Sequence, residues 1–444
     1  MYIYHRERLV KDFTVFLITI LLIVLLGIIM YFFYRDFYLI NNIFAKIGYG
    51  IILFFTSLVL LRYMIMLFFS MLKTIFKTAD EGEFENIINH KVSVIIPAYN
   101  EEAVIASSIE SLLKQTYPYM EIIVVDDGST DNTYKIASKF IHNKYNKPVI
   151  PIKKPNGGKA SAINMGIKNS TGEIIMVVDA DSKLEKNAVE LMQKYFTDPD
   201  IAAVAGSVFV ANKVNLITKL QALEYIEGLN MIRNGQALVK LVNIIPGPIG
   251  MFRKEALYEV GLYDDDTFAE DCDVTLKLIA KGYKIDFESD AVAYTEAPEN
   301  LLDLIKQRYR WTRGILQSIK KHKHLLWHFK INPAASITLW YMLFEGIFWP
   351  FIDVWTNIFI IYLALTSGVS ILIFYWWLMF TIVDMAGAFY CLLVTGEDLS
   401  LMFYAVFYRL FFITIINIAK ILATIEEWFG IEMSWGKLER KGRI

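Results

Sequence analysis

The chain has 444 residues, a net charge of −2, 55% hydrophobic residues and a mean hydropathy of +0.40. So apolar a composition excludes an ordinary soluble enzyme, and the 20% of charged residues excludes a pure membrane bundle. The near-neutral balance gives no whole-chain attraction to nucleic acid, and none is expected as a partner. Cys272 and Cys391 lie far apart, which suggests neither a disulfide framework nor a zinc site.

The apolar residues are segregated. Phe13 to Tyr34 carries no charge, follows the basic residues Arg6, Arg8 and Lys11, and is long enough to cross a bilayer. A second apolar stretch runs from about Ile47 to Leu72 and is interrupted by Arg62. Two helices are therefore expected within residues 1–77, returning the chain to a cytosolic side. From 78 to 297 short β-branched runs such as Val92–Ile96, Glu121–Val125 and Glu173–Val178 alternate with amphipathic stretches. That alternation predicts an α/β domain with a mostly parallel sheet, whose ligands bind beyond the carboxyl ends of the strands. Residues 298–333 read as amphipathic interface helices rich in Arg and Lys. Residues 334–425 hold three long apolar segments, near 335–363, 369–394 and 399–423, and residues 426–444 form a basic tail. A cytosolic tail asks for an even number of C-terminal crossings, so three or four membrane segments are expected there.

The chemistry-bearing motifs sit at strand ends. The first run continues as Pro97-Ala98-Tyr99-Asn100-Glu101, with Pro97 expected to stop the ladder. The second ends in Asp126-Asp127-Gly128-Ser129, two carboxylates that either cap a helix or accept hydrogen bonds from a base or ribose. Asn156-Gly157-Gly158-Lys159 is either a plain turn or a place where backbone approaches a ligand and Lys159 meets phosphate; its spacing is not that of a Walker loop. In Val178-Asp179-Ala180-Asp181, two aspartates two residues apart suit one hard divalent cation, Mg2+ or Mn2+. Glu270 and Asp271 open a helical pattern after an acidic run; a dipole effect is the plain reading, and Asp271 as a general base is the functional one. Finally Gln307-Arg308-Tyr309-Arg310-Trp311 lies in the basic amphipathic stretch just before the membrane segments.

In this order the six motifs resemble the processive inverting glycosyltransferases of family 2, which have a GT-A fold and include cellulose, chitin, hyaluronan and poly-N-acetylglucosamine synthases. Phe268-Ala269-Glu270-Asp271 and the Gln-Arg-x-Arg-Trp form look most like the bacterial poly-N-acetylglucosamine synthases, although Ala269 stands where many synthases have Thr. The resemblance covers about residues 90–315 and the flanking membrane layout. It implies that Ala98, Tyr99, Glu101, Asp126 and Asp127 surround the uridine of a UDP-sugar donor. It places Lys159, Asp179 and Arg310 near the donor diphosphate, and Asp179 and Asp181 on the metal. It makes Asp271 the base, with Glu270 beside it. Gly247, Pro248, Gln307 and Trp311 would shape the site for a growing polysaccharide acceptor.

The reaction so implied is one in-line displacement at the anomeric carbon, followed by passage of the polymer across the plasma membrane, with a small membrane or export protein as a further candidate partner. Glu345, Asp353, Asp384 and Arg409 fall in the apolar segments, where charges face a bundle interior or a water-filled path. The aromatic run Trp340, Tyr341, Phe344, Phe348 and Trp349 reads either as sugar-stacking surface or as an interfacial belt. The rival readings are transfer of a single sugar to polyprenyl phosphate, a hyaluronan- or chitin-like synthase with another donor, and a nucleotide-sugar-binding protein without turnover.

Overall fold

The computed structural model describes residues 43–80, 89–143, 147–367 and 370–432, together with scattered positions outside those ranges. The apolar stretch at Phe13–Tyr34 and the basic tail lie largely outside the described residues.

Eight strands form one sheet: β1 Val92–Ala98, β2 Met120–Asp126, β3 Val149–Lys153, β4 Ile174–Val177, β5 Ser182–Leu184, β6 Ile201–Val210, β7 Gly250–Arg253 and β8 Lys284–Thr295. Their order is β3-β2-β1-β4-β7-β6-β8-β5. The half β3-β2-β1-β4 is parallel throughout, as the alternation of strands and helices predicts. The other half departs from the expected mostly parallel sheet, because β7 runs antiparallel to β4 and β6, and β5 antiparallel to β8. Only β6 and β8 are parallel there.

Pro97 does not stop the ladder but pairs with Val125 inside β1. The pairing of β1 with β4 ends at Ile95, so Pro97 stands where no N–H is needed on that side. Both faces of the parallel half are covered, which is why its runs are apolar rather than alternating. Val94, Ile96, Ile122 and Val124 pack in one layer with the helix Ile105–Leu113, and Ile95, Ile123 and Val125 in the other with Ile163 and Ile167 of the helix Lys159–Asn169.

Four described helices are long and apolar enough to cross a membrane: Ile43–Lys77, Pro333–Tyr362, Trp377–Thr395 and Leu399–Trp428. Three of them follow the sheet domain, so a fourth C-terminal crossing is not found among the described residues. Their charged groups pair across helices. Arg409 grips Asp384 with two hydrogen bonds of 2.7 and 2.8 Å, Arg62 meets Glu345 at 2.5 Å and Tyr341 Oη at 2.8 Å, and Asn417 donates to Asp353 at 2.8 Å. Trp340 donates to the Leu326 carbonyl and packs edge-on against Trp327. The first described helix is bolted to the sheet domain: Lys73 pairs with buried Asp286 at 2.8 Å, Lys77 with buried Glu288, and Asn234 donates to the Ser70 carbonyl at 3.0 Å.

The central strands share a buried polar knot at the end away from the motifs. Glu121 on β2 accepts from Ser93 Oγ on β1 at 2.5 Å and from the Thr171 N–H and Oγ1 before β4 at 2.7 and 2.9 Å. Burial pushes its carboxyl up, but the bonds from Ser93 and Thr171 outweigh that and hold it below the usual carboxylate range. Glu121→Ala leaves these donors unsatisfied and is expected to cost about 1–3 kcal/mol, read as a lowered melting temperature. A carboxylate whose folded pKa is lowered contributes stability above its unfolded pKa and loses it as pH falls through the folded one. The melting gap between wild type and E121A should therefore narrow below about pH 4.

Candidate active site

The polypeptide turns at the carboxyl ends of β1, β2, β3 and β4 lie along one edge of the sheet, and the start of the antiparallel β7 joins them there. The first turn of the helix Glu270–Ala280 meets this edge through the Lys159–Glu270 pair, and the helix Leu301–Lys321 packs against that helix.

The turns after β1 and β2 are zipped together. The Asp127 N–H donates to the Ala98 carbonyl at 2.8 Å, the Asn100 side chain accepts from Thr130, and the Glu101 N–H donates to Thr133 Oγ1 at 2.8 Å. Ala98 is buried and the Tyr99 ring is exposed at the rim. The two adjacent aspartates part company here. Asp127 is committed within the chain: it pairs with Lys154 and accepts from the Gly157 and Gly158 N–H groups at 3.0 and 2.8 Å, so it shapes the glycine turn after β3. Asp126 accepts at one oxygen from the Ser129 N–H at 3.3 Å, while its buried Oδ2 has no hydrogen-bond partner. A buried acceptor left open at a strand end is ready for a donor from outside, such as a base or ribose.

The glycine turn delivers Lys159 to the first position of its helix, from which the ammonium reaches Asp179 at 2.7 Å and Glu270 at 2.8 Å. Burial works against its charge, but Asp179, Glu270 and Asp271 outweigh burial and hold it well above the usual lysine range. Gly247, ahead of β7, presses its backbone into this cluster. A Cβ there would lie 2.8 Å from Asp179 Oδ2 and 2.9 Å from Lys159 Nζ, so no larger residue fits without moving them. Pro248 follows it, half-buried. Asp181 is buried next to Ser182, whose hydroxyl contacts it at 3.3 Å.

Lys159, Gly247, Tyr263, Glu270 and Asp271 line a small, partly open pocket. Burial and the neighbouring Glu270 push the Asp271 carboxyl up to about 6, against the pull of Lys159 and of the Cys272 N–H, which donates to it at 2.8 Å. A carboxylate of raised basicity, still ionised at neutral pH, is what proton abstraction requires. The Asp179 and Asp181 pair offers only oxygen ligands, the donor set of a hard divalent cation. The described cluster of three ligand atoms within 4.8 Å lies elsewhere, at Asp264, Asp266 and Asp273. There Lys321 contacts all three carboxylates, Lys277 pairs with Asp264 and His322 with Asp273, so the chain neutralises that cluster itself.

The helix Leu301–Lys321, which carries the last motif, sits against the turn that precedes Glu270. Gly314 makes this possible: a Cβ there would lie 2.6 Å from the Ala269 nitrogen, so the helix backbone rests directly on the residue before Glu270. Arg310 and Gln307 lie one and two turns earlier on that same face. Gln307 is buried and Arg310 half-buried. Trp311 is half-buried, with the Arg308 guanidinium 4.2 Å over its ring and the Tyr225 ring 6.3 Å away. Arg308 is in turn held by Glu224 through two bonds of 2.6 and 3.2 Å. Sequence reasoning singled out Gln307, Arg310 and Trp311 but missed Arg308, Glu224, Tyr225 and Tyr263. Arg308 lay inside the motif as a signal. Glu224 and Tyr225 lie in a π-helical stretch, Glu224–Met231, that no local pattern announced.

Residues 93–261 match the model of glycosyl transferase family 2. The poly-beta-1,6-N-acetyl-D-glucosamine synthase of Staphylococcus epidermidis is 34% identical over 260 residues, which is 56% of this chain and 63% of that protein. The protein of the same name from Staphylococcus aureus (strain COL) is 34% identical over 266 residues, 59% of this chain and 63% of its own length. The chain thus spans just under two thirds of these relatives. Among solved structures, the mannosyltransferase PcManGT from Pyrobaculum calidifontis, in complex with GDP-Man and Mn2+, superposes with a TM-score of 0.56 over 83% of this chain and 99% of that one. At 19% identity this is a likeness of fold.

Two outcomes test the geometry. Asp271→Asn should abolish turnover and, because a buried carboxyl of raised pKa destabilises the fold when ionised, should raise the melting temperature at pH 7.5. The stabilisation fades as pH falls below about 6, where the wild-type carboxyl takes up its proton, and is gone by about pH 4. Gly314→Leu should push the 301–321 helix off the Ala269 turn and lower turnover by at least about tenfold, with binding of UDP kept, as read by calorimetry.

Proposed function

The chain carries a glycosyltransferase family 2 domain, and on that premise we propose that it polymerises UDP-N-acetylglucosamine into a β-linked polysaccharide and passes the product across the membrane. The single observation that carries the reading is the convergence of Asp179 and Glu270 on Lys159, which lines one pocket together with Glu270 and Asp271. The choice of sugar follows the staphylococcal relatives, whose printed name is that of a poly-N-acetylglucosamine synthase.

In this reading Asp126, with its open oxygen, and the exposed Tyr99 receive the nucleoside, beside Ala98 and Glu101. Asp127 acts at one remove, by shaping the glycine turn that presents Lys159. Asp179 and Asp181 would hold Mg2+ or Mn2+. When bound, that ion supplies positive charge to the leaving diphosphate. Lys159 and Arg310 add fixed positive charge on the same side, where negative charge grows in the transition state. The acceptor sugar stacks on Trp311, whose ring Arg308 and Glu224 keep in place, beside Gln307 and the Gly247-Pro248 turn. Asp271 takes the proton of the attacking hydroxyl, and Glu270, paired with Lys159, keeps Asp271 basic by its charge. One displacement inverts the anomeric centre, so an α-linked donor gives a β-linked product.

The membrane helices and the basic 298–333 region support a domain seated on the cytosolic face of a multi-pass plasma-membrane protein. Polar pairs inside the helix bundle, Arg409–Asp384 and Arg62–Glu345, support a path for a polar chain.

The test is incubation of the purified chain in nanodiscs with separate UDP-sugars, following UDP release and product length. The expected outcome is a long product from UDP-N-acetylglucosamine, loss of turnover with a chelator and its return with Mg2+ or Mn2+. Trp311→Ala should shorten the product while donor hydrolysis persists. A single sugar added to a polyprenyl phosphate, or no turnover with any donor, would overturn the polymerase reading. Product accumulating inside sealed proteoliposomes whose catalytic domains face outward would support passage across the bilayer.

A further inference from the structure

Arg233 is a cation that the scheme above does not use. It lies on the short helix Ile232–Ala237, directly after the π-helical stretch that carries Glu224 and Tyr225. Its side chain is buried, with 8% of the residue exposed. Nε donates to the Ile244 carbonyl at 3.3 Å, while the buried Nη1 has no hydrogen-bond partner. No described salt bridge neutralises it. Burial therefore pulls its pKa down to about 10, and the groups that oppose this are Asp271 and Tyr225.

Those neighbours locate the guanidinium. Asp271 is the candidate base in the pocket, and Tyr225 belongs to the aromatic group around Trp311. Ile244, which holds Nε, leads into Ile245-Pro246-Gly247, the pocket wall next to Lys159. Arg233 is thus tied to the segment that forms this pocket wall, within electrostatic reach of both Asp271 and Tyr225. A buried N–H donor with no acceptor costs stability unless a ligand supplies one. With the diphosphate matched to Lys159, the ligand group left for Nη1 is a neutral oxygen of a sugar: a hydroxyl or the carbonyl of an acetamido group.

Resting on the glycosyltransferase reading, we propose that Arg233 is an acceptor-orienting residue, whose Nη1–H holds an oxygen of the terminal acceptor sugar so that the attacking hydroxyl faces Asp271 while the ring lies on Trp311. Arg233 is then a positioning residue. It makes and breaks no bond, and its loss should appear in acceptor kinetics rather than donor kinetics.

The experiment uses the full chain in nanodiscs, UDP-N-acetylglucosamine with Mg2+, and a short β-linked N-acetylglucosamine oligosaccharide as soluble acceptor. UDP release is followed with and without the acceptor. Arg233→Gln should raise the acceptor KM by about tenfold, with the donor KM and acceptor-free donor hydrolysis within about twofold of wild type. Arg233→Lys keeps the charge and one donor for the Ile244 carbonyl but loses the second arm; it should keep its melting temperature and still show a severalfold higher acceptor KM. This variant decides the matter if R233Q fails to fold. An unchanged acceptor KM in R233K, or a parallel rise in donor and acceptor KM in either variant, overturns the inference while leaving the transferase reading intact. A wild-type chain that releases UDP from no donor removes both.

Discussion

One ammonium holds the candidate site together. Lys159 is shared by carboxylates from two separated parts of the chain, Asp179 after β4 and Glu270 at the start of a helix, with Asp271 close behind. Without a cation these acids would repel one another in a desolvated pocket, and the helix carrying Glu270 and Asp271 would be driven from the sheet edge. Lys159 is itself positioned by the turn that Asp127 fastens through two backbone N–H groups. A carboxylate that reads as a ligand contact is thus the support of the lysine that gathers the others.

The same dependence sets the chemistry. The crowding that makes Lys159 necessary also keeps Asp271 more basic than an exposed aspartate. Glu270 contributes on both counts, as the partner of Lys159 and as the like charge beside Asp271. The second layer, Arg308 with Glu224 against Trp311, repeats the principle: a buried pair fixes a flat ring that a ligand would meet. Breaking such a pair leaves one buried charge uncompensated, at a cost of about 3–5 kcal/mol.

The sequence was most readable where local chemistry and tertiary role coincide. The strand runs of the parallel half are apolar because both faces are covered, and the acidic and glycine motifs follow them, so the sheet edge could be located before any coordinate. Reading failed where the outcome depends on what lies next to a segment. Pro97 looked like a stop because a proline cannot serve a fully paired strand, and the shortness of β4 that permits it is not written in β1. The antiparallel insertion of β7 rests on the Gly247 turn, which read only as acceptor-site shape. The division of labour between Asp126 and Asp127 depends on Lys154 and the glycine turn, some thirty residues downstream. Arg233 gave no signal, because an arginine in a short helix reads as a solvated residue until the packing around it is known.

The bolts between the first described helix and the sheet have a practical meaning for anyone dividing this protein. Lys73 and Lys77 supply the counter-charges of Asp286 and Glu288 on β8, both buried. An excision at the 77/78 boundary, where the composition changes, would take those lysines with the apolar helix and strand two acids inside the remainder. The sheet domain is therefore not a removable cassette; its electrostatic boundary lies about one helical turn inside the helix that composition assigns to the membrane part.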